Sequence, residues 1–122
     1  GWVVFIPGEP VPSARPRVVR GRAYMPERTR LAVQALRTVA RQVQSPRPDS
    51  TVEITCNFYC RETRRKDLDN LLKTVMDGLH PWPLRDDDIQ IVRRVEAVVQ
   101  FVAHSTCTVI RLLYTLPATE VP

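Results

Sequence analysis

In TVEITCNFYC-RETRR-KDLDNLLKTVMDGL, residues 51–79, the apolar period changes part-way along. Val52, Ile54, Cys56, Phe58 and Cys60 alternate with their neighbours, the pattern of a strand with one face on a core. After the charged loop the spacing becomes helical. At 100° per residue with Asp69 at zero, Leu68, Leu71, Leu72, Val75 and Leu79 fall between about 200° and 300°. Asp69, Lys73, Asp77 and Asn70 fall at about 0°, 40°, 80° and 100°. One face of the helix is therefore apolar, and the other gathers two carboxylates, an amide and an ammonium. Asp67 stands just ahead of it, at the N-cap position that favours Asp.

Outward from this pair of elements the chain is easily punctuated. Upstream, WVVFI at 2–6 reads as a buried strand ended by Pro7-Gly8. Prolines 10, 12, 16 and 26 forbid helix in the next segment, which becomes an extended arm with a short hairpin around Gly21. From about Glu27 to Gln44 a helix is predicted, with Leu31, Ala35, Leu36, Val39, Ala40 and Val43 as its apolar positions. SPRPDS at 45–50 stops it. Downstream, His80-Pro81-Trp82-Pro83 breaks the central helix. An interrupted strand is expected from about Ile89 to Val102, another from Thr106 to Leu116, and then a frayed tail. The order β-α-β-α-β-β predicts a mixed α/β, α+β fold, one sheet covered by two helices.

A chain of 122 residues fits one domain over residues 1–122, burying roughly 65% of its unfolded surface. No apolar run approaches the roughly 20 residues that span a bilayer, so no membrane association is expected. The opening GWVVFIPGEP lacks a basic n-region and a cleavage site, which predicts a cytoplasmic protein. Cys56, Cys60 and Cys107 read as inert thiols, since zinc needs more ligands than the chain offers.

The charge is +5, unevenly placed. Residues 1–30 hold six arginines against two glutamates, while residues 61–88 hold six basic and seven acidic residues. A basic surface around a local acidic cluster suits an enzyme that grips a polyanion and holds a cation against it. The helix alone has a blander explanation in an N-cap Asp67, an Asp69–Lys73 pair and a solvated polar face. RDDD at 85–88 shifts the balance, because three consecutive aspartates repel one another unless a cation offsets the cost. Carboxylates without His or Cys ligands point to Mg²⁺ or Mn²⁺. Such an ion polarises a phosphodiester and activates water, and Lys73 is placed to neutralise charge on the phosphorane oxygens. Other motifs fail. An EF-hand loop from Asp67 would need Gly and Glu where Leu72 and Gly78 stand. An aspartyl-phosphate site needs its D-x-D after an apolar strand, whereas basic residues precede this one. No glycine loop could cradle phosphate. His80 and His104 are isolated.

The segments PVPSARPRV (10–18), Tyr24-Met25-Pro26, Arg65-Lys66-Asp67-Leu68-Asp69-Asn70-Leu71-Leu72-Lys73 and Asp87-Asp88-Ile89-Gln90 together resemble the RusA family of Holliday-junction resolvases. The resemblance implies a homodimer that binds four-way junction DNA and cuts symmetric strands with Mg²⁺, leaving 5′-phosphate and 3′-hydroxyl ends. It implies Asp67, Asp69 and Asp88 as metal carboxylates, Lys73 as the catalytic lysine, and Asn70, Asp87 and Gln90 as supporting residues. Asp86 departs from the pattern and leaves open which aspartate of the triple is the ligand. Arg15, Arg17, Arg20, Arg22, Arg61, Arg64, Arg65 and Arg85 are candidate phosphate contacts, which set affinity without specifying sequence. Trp82 either stacks on a base or anchors its turn. The alternative in another class is a catalytically inactive relative that binds or clamps junctions.

Overall fold

The computed structural model describes residues 1–61, 66–85 and 91–116. Its central strand is β4, which spans Thr51–Cys60 as the alternation requires. Every even residue, from Val52 to Cys60, is buried, and every odd one is half-exposed. Around it run β1 (Trp2–Pro7), β2 (Arg17–Val19), β3 (Arg22–Tyr24), α1 (Glu27–Ala40), α2 (Leu68–Gly78), β5 (Val92–Phe101) and β6 (Cys107–Thr115). The main sheet has the order β1-β6-β4-β5. β4 and β5 are parallel with α2 as their crossover, while β6 runs antiparallel to both β4 and β1. The α+β expectation therefore stands, as does the short hairpin expected around Gly21. β2 and β3 form a separate hairpin turned at Arg20-Gly21, both with positive φ (51° and 76°), the geometry that suits a two-residue turn.

Both helices lie on the even face of β4. Leu36, Ala40 and Val43 from the α1 side, and Leu71, Val75 and Leu79 from the α2 side, join Val4, Ile54, Phe58, Ile110 and Leu112 in one core. The helices approach closely at Gly78, where a Cβ would lie 2.8 Å from Leu36 Cβ. Glycine weakens a helix by roughly 1 kcal/mol relative to alanine, yet here alanine would have to displace Leu36. Among the described residues no helix covers the opposite sheet face, and Val3, Phe5 and Leu113 on it are more than half exposed.

Two sequence expectations need correction. The buried stripe of α1 is Thr29, Val33, Leu36 and Ala40; Leu31 and Ala35 face solvent. Counting only apolar residues rotated the stripe, because Thr29 is buried for its hydroxyl: Oγ1 accepts from Ala14 N (3.2 Å) and reaches Pro12 O (3.5 Å). Second, β5 is continuous from Val92, and the anticipated interruption is a register shift that leaves Arg93 between the pairs Val52–Val92 and Glu53–Arg94. The stretch 86–90, including the expected strand start at Ile89, and the tail from 117 lie outside the described residues.

The His80–Pro83 connector is anchored on the far end of α1. Trp82 Nε1 donates to Val43 O (2.7 Å), Ser45 Oγ to Pro83 O (3.1 Å), and Arg37 Nε to His80 O (3.0 Å). Trp82 thus has the turn-anchoring role. The three cysteines are buried and unbridged, and burial pushes the Cys56 thiol up to about 12, which makes it inert.

Candidate metal and DNA-binding site

The chain leaves β4 at Cys60 and enters α2 at Asp67. Asp67 occupies the N-cap with extended backbone (φ −82°, ψ 129°), and its carbonyl accepts from Asn70 and Leu71 N–H (both 3.1 Å). Its carboxylate makes no capping bond, so the capping role that residue type suggested is not what it does here. Asp69, in the first turn, accepts the Asn70 N–H on Oδ1 at 2.9 Å. Both aspartates are exposed, and with Lys66, Leu68 and Leu72 of α2 and Val95 and Ala97 of β5 they line an open cleft of about 640 Å³. Carboxylates at a helix N-terminus are favourably placed with respect to its dipole.

Of the other expected site residues, Lys73 is exposed one turn beyond Asp69 and does not line the cleft. It makes no ion pair with Asp69, so the i, i+4 pair is not what places these residues. Asn70 is half-buried, and its backbone carbonyl accepts from Ser13 N (2.9 Å) and Thr74 Oγ1 (3.3 Å), a link between the arm and α2 that does not use its side chain. Asp87, Asp88 and Gln90 lie outside the described residues, as do Arg64, Arg65 and Asp86. Among the described residues no three His, Cys, Asp or Glu come together around one point. The donor set of the cleft nevertheless fits a hard cation: two carboxylates on a rigid helix start, with no imidazole or thiolate in the lining. His80 and His104 are exposed and away from it.

The arginines divide in two. Arg15 and Arg17 line a groove of about 440 Å³ with Arg28, Pro12, Pro26 and Thr29. Arg28, the second residue of α1, was not among the arginines singled out from sequence; the fold brings it beside the arm. Arg20 and Arg22 are exposed at the hairpin, and Arg61 on the loop entering α2. Arg85 is exposed at the other end of α2, in a hollow with Ser45, Arg47 and Ile91.

The carboxylate cleft at the start of α2 and the arginine-lined groove of the arm are linked through the hydrogen bond from Ser13 N to Asn70 O. The profile of the family described as endodeoxyribonuclease RusA matches residues 7–112 of the 122. The chain belongs to this family. No curated protein matches it. The RusA match takes in the arm, both helices and all but the last residues of β6, so the cleft and the groove both fall inside it. Among the described residues no helix is long and apolar enough to cross a membrane.

Proposed function

We propose that this RusA-family chain resolves Holliday junctions in DNA recombination and repair. It acts in the cytoplasm as a Mg²⁺-dependent endonuclease, with Mn²⁺ as a substitute, leaving 5′-phosphate and 3′-hydroxyl ends. The observation that carries this reading is the pairing of Asp67 and Asp69 in one open cleft within the family match. Asp67, Asp69 and Asp88 would hold the ion; a bound Mg²⁺ supplies Lewis-acid polarisation of the phosphate and a water of lowered pKa. Lys73 brings a positive charge to the same helix face, where it offsets charge developing on the non-bridging oxygens. Asn70 and Asp87 would support the carboxylates of Asp67, Asp69 and Asp88, with Gln90 behind them. Arg15, Arg17, Arg20, Arg22, Arg61, Arg64, Arg65 and Arg85, joined by Arg28, hold the DNA backbone and release counterions as they do so. Symmetric cutting of a four-way junction takes two such sites, so the working form is a homodimer. The exposed apolar side chains of Val3, Phe5 and Leu113 at the β1–β6 side of the sheet support this.

Incubating a synthetic four-way junction with the protein and Mg²⁺ tests the proposal. Paired symmetric nicks with ligatable ends are expected. Tight junction binding without nicks would instead make the chain an inactive junction clamp. In the same assay Lys73→Ala should lower the single-turnover rate by about 10²-fold, the scale of one lost electrostatic donor, and change junction affinity less than threefold. Equal losses in rate and affinity would reduce Lys73 to a phosphate contact.

A further inference from the structure

Lysine is rare in this chain: sixteen of its eighteen basic residues are arginine. One of the two lysines, Lys66, is not a surface charge at all. Its Nζ lies 2.7 Å from Glu9 Oε1 and 3.4 Å from Pro10 O, and the two side chains are only 10% and 18% exposed. The other oxygen of Glu9 accepts the backbone N–H of Arg61 at 3.0 Å. A single carboxylate from the N-terminal arm thereby holds both Arg61, just after β4, and Lys66, just ahead of Asp67.

Glu9 is itself fixed. Gly8, at φ +104°, donates to Thr106 O (2.9 Å), and beyond Glu9 the arm is tied to α2 through Ser13 N and to α1 through Thr29. Past Ala14 the arm is exposed and carries its arginines. An ammonium suits this enclosed place better than a guanidinium, being compact and able to aim separate donors at a carboxylate and a carbonyl. Withdrawing two charges from water is unfavourable unless both are well paired, so the pair holds one geometry rather than many.

We propose that Glu9 and Lys66 form a positioning clasp that fixes the backbone at Asp67 relative to Asp69. The clasp rests on the carboxylate metal site proposed above. Neither residue touches substrate; both act through Asp67, as outer partners of metal ligands do, whose loss lowers metal affinity or activity about 10- to 100-fold.

Mn²⁺ titrated into the protein alone, with the free ion followed by electron paramagnetic resonance, tests this without DNA. Nicking against Mg²⁺ concentration and junction affinity in EDTA are measured alongside. For Glu9→Gln and Lys66→Met the Mn²⁺ dissociation constant and the Mg²⁺ half-saturation should both rise about tenfold. Junction affinity in EDTA should stay within about threefold, and Lys66→Arg, which keeps the charge but not the compact ammonium, should recover only part of the metal affinity. If Lys66→Met does not fold, Glu9→Gln decides, since it keeps the side-chain volume and an acceptor for Arg61 N–H. Unchanged metal affinity in a folded variant overturns the clasp, as does a wild type that binds no Mn²⁺. A loss confined to junction affinity overturns it too, making Lys66 a phosphate contact. If the wild type binds Mn²⁺ as expected but nicks no junction, it is the nuclease reading that fails, while the shift in Mn²⁺ affinity still supports the clasp.

Discussion

Asp69→Asn is expected to abolish cleavage while sparing binding. The amide is isosteric with the carboxylate, and its oxygen can still accept the Asn70 N–H that Asp69 Oδ1 accepts at 2.9 Å, so the first turn of α2 should keep its shape. What it loses is the negative charge that would hold a cation in the cleft. Metal polarisation of a phosphoryl oxygen is worth several kcal/mol, and each 1.36 kcal/mol is tenfold in rate. A fall of about 10³-fold in single-turnover nicking is therefore the expected scale. Junction affinity in EDTA should move by less than about twofold, because the arginine groove of Arg15, Arg17 and Arg28 is a separate feature of the surface. Gel analysis of one labelled junction gives both numbers. Cleavage at the wild-type rate would take Asp69 out of the mechanism.

The second large effect concerns the core. Phe58 is 2% exposed near the carboxyl end of β4, under α1 and α2. Truncation to alanine removes most of a ring from a site walled by Leu36, Leu71, Val75 and Ile110, and should cost about 3–5 kcal/mol. Domains of this size hold only about 5–15 kcal/mol in total. Phe58→Ala should thus lower Tm by roughly 10–20 °C, read by circular dichroism. Leu113→Ala, on the exposed face of β6, should stay within about 0.5 kcal/mol. Similar losses for the two variants would mean that the helix-covered face is not the principal core.

The central elements were legible because each satisfies one period without conflict. Residues 51–60 alternate with no exception and form β4 over the same range, while the apolar stripe of the helix after it is unbroken from Leu68 to Leu79. α1 was legible in existence but not in rotation, since a buried threonine that bonds the arm carries no hydrophobic signal. β5 contains Arg93, Arg94 and Glu96 on an edge strand, so its pattern reads as broken although its pairing with β4 continues after one shift. Strand order and the parallel β4–β5 pairing depend on contacts far apart in the chain, to which local periodicity is blind. The same limit governs the site. Asp67 and Asp69 were found because they are neighbours in sequence. The Glu9–Lys66 pair, separated by 57 positions, and the approach of Arg28 to Arg15 and Arg17 exist only once the arm is laid across the helices.

The strand order also bears on how the chain is made. β6 sits between β1 and β4, so β1 and the central strand, though β1 is synthesised well before it, do not pair with each other. Val4 gains its neighbour Ile110 only after more than a hundred further residues have been synthesised. The β4-α2-β5 unit can assemble first, whereas β1 must wait and its apolar residues stay open to chance encounters meanwhile. Closing so long a loop is slow, which makes the arrival of β6 the step that commits the nascent chain to its final form.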